Sequence, residues 1–329
     1  MDFGPTRHAH LPVLKASKRR EPHSFQIETR FGQHELACKI EADAAQVAFL
    51  HGDPARSGEL LLAAAEAVTA QDRSIRSIDF GESGTVLAPA LLDEAGKLDV
   101  TALWQWPVAW THGPAFPAPK VQVMSSGRYH PRRPRKPQGE VYRRFIPWLG
   151  EEIAFRVAQP DADLADFHRW MNDEQVRTIW EDDGDIGKHR DILNERAADP
   201  HVLPLIGTFG DVPFGYFEVY WAKENRLGPF YDADDYDRGW HVAIGEPAYR
   251  GKAWISAWLP SLMHFIFLDD PRTQRIVGEP RASHEQQIRN LDRSGFAKIK
   301  HFNFPHKRAL LVMLMRERFF DDHLWVPAS

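Results

Sequence analysis

Cysteine is almost absent from this sequence. Cys38 is the single one among 329 residues, so no internal disulfide can form and a secreted disulfide scaffold is excluded. Long apolar runs are missing as well: the longest, residues 253–268, is interrupted by Ser256, Pro260, Ser261 and His264 and falls short of a membrane span. The first thirty residues carry His8, His10, Lys15 and Lys18 to Arg20 without a sustained apolar stretch, which excludes an ordinary signal peptide. Positive charge is not in excess either. The net charge is −5, so the chain as a whole has no electrostatic footprint for nucleic acid, and the local basic clusters, Lys18-Arg19-Arg20 and Arg132-Arg133-Pro134-Arg135-Lys136, fall in segments that read as tail and linker. Sixteen histidines invite a metal, but no His-Glu-x-x-His occurs, and the pairs His8/His10 and His301/His306 lack companion ligands at useful spacing. The expectation is a soluble, cytoplasmic protein with no metal, no nucleic-acid partner and no membrane segment.

What is present is enough apolar material, 43%, for packed cores, in a chain long enough for two domains. Residues 1–22, with three prolines and little periodicity, read as an N-terminal arm. Short strands are expected at 25–31, 34–40 and 46–51 in an antiparallel meander, then a helix at 58–70, a strand at 75–80 and a second helix at 86–95. These make an accessory α/β domain over 23–106. Seven prolines between Pro107 and Pro137 remove backbone donors and predict a linker over 107–140, most of it without regular structure. The second domain, 141–329, opens with a strand at 152–158. Leu164, Phe167, Trp170 and Met171 then recur at helical spacing, with a break at 172–174. A helix at 188–198 and strands at 202–209 and 212–221 follow. After the central strand and its helix come a strand at 275–279, a helix at 283–294 stopped by Gly295, and strands at 297–304 and 309–319.

The chain is organised around Arg238-Gly-Trp-His-Val-Ala-Ile-Gly-Glu-Pro-Ala-Tyr-Arg-Gly-Lys-Ala-Trp-Ile. A short strand, 240–244, leads through a turn to Arg250, Gly251, Lys252 and Ala253, which begin a long apolar helix continuing through Trp254. The first amides of a helix have no intrahelical partner and sit at the positive end of its dipole. Gly251 lets the backbone approach closely, and Arg250 and Lys252 add charge, so the turn is suited to a phosphate or pyrophosphate. An ordinary strand-to-helix connection with a solvated basic rim fits the turn alone equally well. Side chains alternate along strands, so Tyr216, Glu218 and Tyr220 share one face, and His241 points with Ala243 away from Trp240, Val242 and Ile244.

The order of elements resembles the GNAT acyl-coenzyme A N-acyltransferase superfamily. Ala248-Tyr-Arg-Gly251-Lys-Ala253 matches most of that family's Gln/Arg-x-x-Gly-x-Gly/Ala turn, departing at Ala248, and His284 stands where many relatives have asparagine. Four further segments are similar to the siderophore-biosynthesis acyltransferases of the hydroxylysine acetyltransferase type. They are Phe167-His168-Arg169-Trp170-Met171-Asn172, Phe214 to Trp221, Asp237-Arg238-Gly239-Trp240-His241 and Phe267-Leu268-Asp269-Asp270-Pro271-Arg272-Thr273. The resemblance covers residues 142–320. It implies an α/β (α+β) GNAT fold in the C-terminal half and transfer of an acyl group, acetyl or another, from an acyl-coenzyme A to the N-hydroxylated amine of lysine or a related diamine. The hydroxamate so formed chelates ferric iron, and enzymes of the same siderophore pathway are its implied partners. The resemblance places a histidine and an acidic residue at His241 and Glu279 to serve the acceptor; which of them takes the proton stays open. Tyr216, Glu218 and Tyr220 are expected to line the acceptor cleft, with Trp180 covering it.

Other readings remain: hydroxyornithine, N-hydroxycadaverine or N-hydroxydiaminopropane as acceptor, a plain amine as in aminoglycoside or protein N-acetyltransferases, or a non-catalytic acyl-coenzyme A-binding protein. No arginine stands out to hold the carboxylate of an amino-acid acceptor. The order of elements in residues 23–106 echoes the C-terminal half, with residues 53–58 where a phosphate turn would fall. This makes a degenerate GNAT-like half or an unrelated α+β domain the two expectations there.

Overall fold

The computed structural model describes residues 24–29, 32–50, 58–70, 72–112, 117–125 and 127–327. The expected arm 1–22 and all of the 53–58 turn except Gly58 lie outside them. In chain order the first half carries β1 (Ser24–Thr29), β2 (Gly32–Glu41), β3 (Ala44–Phe49), α1 (Gly58–Thr69), β4 (Ser77–Asp79), β5 (Leu98–Asp99) and α2 (Val100–Trp104). A hairpin follows, β6 (Gln122–Ser125) with β7 (Arg128–Pro131). The second half has β8 (Glu140–Ile146), β9 (Glu151–Val157), α3 (Leu164–Met171), α4 (Glu174–Trp180), α5 (Ile186–Ala198), β10 (Val202–Phe209), β11 (Val212–Trp221) and β12 (Arg238–Ile244). It finishes with α6 (Lys252–Asp269), β13 (Arg275–Gly278), α7 (Glu285–Arg293), β14 (Ala297–Asn303), β15 (Arg308–Met315) and α8 (Arg316–Asp321).

The second half is one eight-stranded sheet, ordered β14-β15-β13-β12-β11-β10-β9-β8. β12 and β13 are parallel, as the α6 crossover between them requires, and they pair only at Arg238↔Ile276 and Gly239↔Val277. Beyond Gly239 the two strands part. α6 lies behind this opening with residues 257–268 buried except Pro260, and the first half of the molecule packs against the same core.

The smaller sheet, β1-β2-β3-β4-β5, takes the same steps. Three antiparallel strands lead through a helical crossover, α1, to a parallel neighbour, which an antiparallel strand then joins. This is the path of β10, β11, β12, α6, β13 and β15.

Local chemistry explains where sequence expectations hold and fail. α3 buries Leu164, Phe167, Trp170 and Met171, and Asp173 starts α4 by accepting from the N–H groups of Gln175 and Val176, which accounts for the break. The second helix expected at 86–95 is absent. Pro89 sits among two 3₁₀ turns, Gly81–Val86 and Pro89–Leu91, and the helix forms instead at Val100–Trp104, capped by Asp99. Most of the described part of 107–140 is irregular, but not all of it. Its prolines leave room for the β6–β7 hairpin, with Pro131 at the end of a two-stranded sheet where a missing donor costs nothing. Buried Arg133 fastens the following segment to Glu224 through two bonds of 2.5 and 2.6 Å. The apolar run 309–319 changes from strand to helix at Arg316. No helix among the described residues is long and apolar enough to cross a membrane.

Candidate active site

Glu218 on β11 pairs directly with His241 on β12, so the two side chains share a face of the sheet. Continuing the β12–β13 register past Gly239 brings Glu279, the residue after β13, level with His241 across the opening. His241 Nδ1 lies 2.9 Å from Glu218 Oε2 and Nε2 lies 3.2 Å from Glu279 Oε1. Tyr220 Oη donates to Glu279 Oε2 at 3.0 Å. It reaches there because position 239 is a glycine: a Cβ on Gly239 would stand 2.2 Å from the Tyr220 ring. Glu218 Oε1 accepts from Arg196 Nε at 2.8 Å and from Tyr216 Oη at 3.2 Å.

Burial alone would push the His241 imidazole toward neutrality, but bonds and charges from Glu218 and Glu279 overcome it and hold its pKa up at about 9. Burial likewise opposes ionisation of Glu279, yet His241, Lys307 and Arg226 bring it down to about 2. Glu218 is also lowered, against its burial, by His241 and Arg196. At neutral pH the group is carboxylate, imidazolium, carboxylate.

These residues face a cavity of about 830 Å³, whose walls include Trp180, Glu218, Tyr220, His241, Glu279 and Lys307. Trp180 lies over it: its Nε1 donates to the Val242 carbonyl at 2.9 Å, and its ring stands edge-on to His241 at 6.2 Å. The Ala222 N–H bonds Asp237 O at 2.9 Å, so by strand alternation the backbone groups of Val242 point away from β11. Its N–H therefore faces the opening beside the carbonyl that Trp180 holds. Tyr216 does not line the cavity. It is fully buried against Phe167, with ring centroids 4.8 Å apart, and acts on the site through Glu218.

At the start of α6, Gly251 is the N-cap with φ +107° and no side-chain cap, and Lys252 and Ala253 are exposed. The first intrahelical bond is Ile255 N–H to Gly251 O, 3.1 Å, which leaves the N–H groups of 252–254 to an outside acceptor. Arg250 turns back into the protein. Its Nε donates to Ile244 O, Nη1 to Gln175, and Nη2 to Asp173 and Gly245 O, at 2.7–3.0 Å. Trp254 packs on Phe209 and Tyr249 with centroids 4.7 and 4.6 Å away. Of the five residues read as a phosphate turn, Gly251, Lys252 and Ala253 present groups outward.

Sequence reasoning missed the cations. Arg196 comes from α5, Arg226 from the loop after β11 and Lys307 from the turn before β15. Arg226 Nη2 stands 3.6 Å from Glu279 Oε1, and Lys307 Nζ donates to Glu279 O at 2.8 Å. No local pattern announces a partner that only the tertiary fold brings near. His130, His201 and Glu224 also meet with ligand atoms within 4.8 Å of one another. Both Glu224 oxygens are held by Arg133, so a guanidinium already stands where a metal would supply charge.

Comparison with known proteins agrees with this geometry. Residues 159–304 match the acetyltransferase (GNAT) domain. The chain is 41% identical over 224 residues to N(6)-hydroxylysine O-acetyltransferase of Escherichia coli, covering 68% of this chain and 71% of that protein. It is 44% identical over 196 residues to an N(5)-hydroxyornithine:cis-anhydromevalonyl coenzyme A-N(5)-transacylase of Beauveria bassiana, covering 58% of this chain and 43% of that one. A crystal structure of an uncharacterized protein from Bacillus halodurans superposes with TM-score 0.53 at 27% identity, over 56% of this chain and 94% of that one. An opened parallel strand pair, a helix N-terminus at one end and a charged histidine at the other thus accompany extended sequence identity, and the chain belongs to the GNAT family of acyltransferases.

Proposed function

We propose that the protein transfers the acyl group of an acyl-coenzyme A, acetyl in the simplest case, to the N-hydroxylated side-chain amine of lysine or a related diamine, forming a hydroxamate of the kind built into siderophores. The observation that carries this is His241 held as an imidazolium between Glu218 and Glu279 at the opening of β12 from β13. The names of the two hydroxyamino-acid relatives support it.

The pyrophosphate of the co-substrate sits at Gly251, Lys252 and Ala253, over the open N–H groups of residues 252–254, and its thioester reaches along the free edge of β12. A hydroxylamine is less basic than an alkylamine and stands uncharged near neutral pH, so it needs no base before attack. Its nitrogen lone pair forms the C–N bond while the carbonyl becomes an oxyanion, which the Val242 N–H faces. The nitrogen, now positive, is a strong acid, so the weakly basic Glu279 carboxylate suffices to take its proton. The C–S bond then breaks and coenzyme A leaves as thiolate. The His241 imidazolium positions Glu279 and offsets the charge around it.

Residues 23–106, on this reading, are a degenerate GNAT-like half with the same strand path and, among the described residues, no counterpart of the His241 group. Residues 107–140 join it to the acyltransferase half, 141–329.

The test is to supply acetyl-coenzyme A with N6-hydroxylysine and follow free thiol alongside the coloured ferric complex of the product. Thiol and ferric hydroxamate rising together are expected. Thiol without hydroxamate would move the acyl group to oxygen, and faster turnover of plain lysine would overturn the reading.

A further inference from the structure

The cavity has two lips, and they touch. One is Glu181, the residue that ends α4 directly after Trp180, in a left-handed conformation with φ 59°. The other is Arg281, two residues past Glu279. Arg281 Nη2 donates to Glu181 Oε1 at 2.8 Å, both residues line the cavity, and their side chains are 39% and 63% exposed, arginine first.

Both lips are held in place by groups that the chemistry of transfer does not use. Beyond β13 the chain continues along β15, with Leu310 N–H bonded to Pro280 O at 3.0 Å and Arg281 bridged to Ala309. On an extended segment Glu279 and Arg281 therefore point to the same side. Opposite, Asn172 clamps Gly184 through Nδ2 to O at 3.0 Å and N–H to Oδ1 at 3.1 Å. His189 Nε2 donates to Asp182 O at 2.9 Å while its Nδ1 shares a hydrogen with His168 Nδ1 at 2.7 Å. His168 and Asn172 belong to the segment from Phe167 to Asn172, and these bonds show what that segment does: it fixes the loop that carries Glu181 and Asp182.

We propose that the Glu181–Arg281 pair reads the far end of the acceptor, as a site for the zwitterion of an α-amino acid. The α-carboxylate takes the Arg281 guanidinium, the α-ammonium takes Glu181, and together they replace the contact the lips make with each other. The proposal rests on the N-hydroxylated acceptor argued above. Length agrees: two extended residues from Glu279 to Arg281 span about 7 Å, and the four-carbon stem of lysine reaches roughly as far. Charge agrees as well, because the other cations near the acid, Arg226 and Lys307, are engaged with Glu279 itself. An exposed ion pair contributes little to stability, so exchanging it for the substrate's two charges is inexpensive and its removal leaves the fold intact.

The experiment compares N6-hydroxylysine with its decarboxylated counterpart, N-hydroxycadaverine, by steady-state kinetics. Arg281→Gln should shift the ratio of kcat/KM for the two acceptors about tenfold or more toward the diamine, chiefly through KM for hydroxylysine. Glu181→Gln should raise KM for both, since both carry a distant ammonium. Equal losses for the two acceptors in Arg281→Gln would overturn the proposal, as would the selective loss appearing in Arg226→Gln instead. A wild-type protein that binds acetyl-coenzyme A and turns over neither hydroxylamine would bring down the functional reading itself, and the lip proposal with it, before any variant is made.

Discussion

His241 is the residue on which most of the electrostatics converges. Replacing it with alanine, or Glu279 with glutamine, should lower turnover of a hydroxylamine by ~10²–10⁴-fold while leaving acetyl-coenzyme A affinity within about twofold, as expected for positioned acid/base groups. Losses below about threefold in single-turnover assays of both variants would remove them from the mechanism. The pH dependence carries a sign. Because the folded imidazole titrates near 9 and the active form is the imidazolium, kcat/KM should fall as pH rises through about 9, and Glu218→Gln should move that fall to lower pH. The same raised pKa means that His241 stabilises the fold fully below its unfolded value near 6.5, a contribution lost as pH climbs through about 9. A rate that instead rose up to pH 9 would make neutral His241 the base. Sequence reading reached His241 and Glu279 through the family resemblance, His241 lying within its motif Asp237 to His241. It could not reach the ion-pair pattern, because Arg196, Arg226 and Lys307 are brought in by tertiary folding alone.

Among the elements, the turn into α6 was legible and the hairpin of β6 and β7 was not. The turn is local: a strand, one glycine with a positive φ, and a helix start, all written within a short stretch of chain. At Gly251 a Cβ would meet nothing within 4 Å, so the restriction comes from φ +107° alone. Gly251→Val should therefore weaken acetyl-coenzyme A binding by forcing the turn to reshape, measurable by calorimetry, with far-UV circular dichroism unchanged. Normal affinity would place the pyrophosphate elsewhere. The hairpin is held by contacts that no window of sequence contains, among them His130 on Glu224 and Arg128 on Lys223 O. Seven prolines in the same stretch argued against regular structure, and the strands fit between them. The helix expected at 86–95 failed for a local reason: Pro89 opens a short 3₁₀ turn, Pro89–Leu91, and the chain leaves it extended at Leu92.

At the scale of the whole molecule, the two halves are bound through buried polar groups. Arg144 on β8 donates to Glu66 on α1 at 3.0 Å and to Trp325 O at 2.9 Å. His264 on α6 bonds Trp104 O at 2.6 Å and lies 3.0 Å from Tyr142 Oη, and burial pushes its pKa down to about 3. A histidine held neutral costs stability once the unfolded chain can protonate. The His264 contribution to stability should thus fall as pH drops below about 6.5, opposed by buried Glu66, whose pKa burial raises to about 7, and His264→Gln should remove from the melting-temperature profile a contribution of about 1.4 kcal/mol per pH unit. The five strands of the smaller sheet follow the path of five of the eight in the larger, a likeness that element order suggested, whereas the depth of their shared core was not legible, because Trp104, Trp110 and Trp325 come from segments with no common pattern. Helix α4 reaches further than its length suggests. Arg250, at the phosphate turn, grips Asp173 and Gln175 at one end of it, and Trp180, at the other end, grips Val242 above His241. A helix of seven residues, about 10 Å long, thus spans from the turn proposed for the pyrophosphate to the roof over the cavity. Occupancy of either site should then favour the other by a common factor, since linkage is reciprocal, and Arg250→Ala should bring that factor toward unity without touching the acceptor.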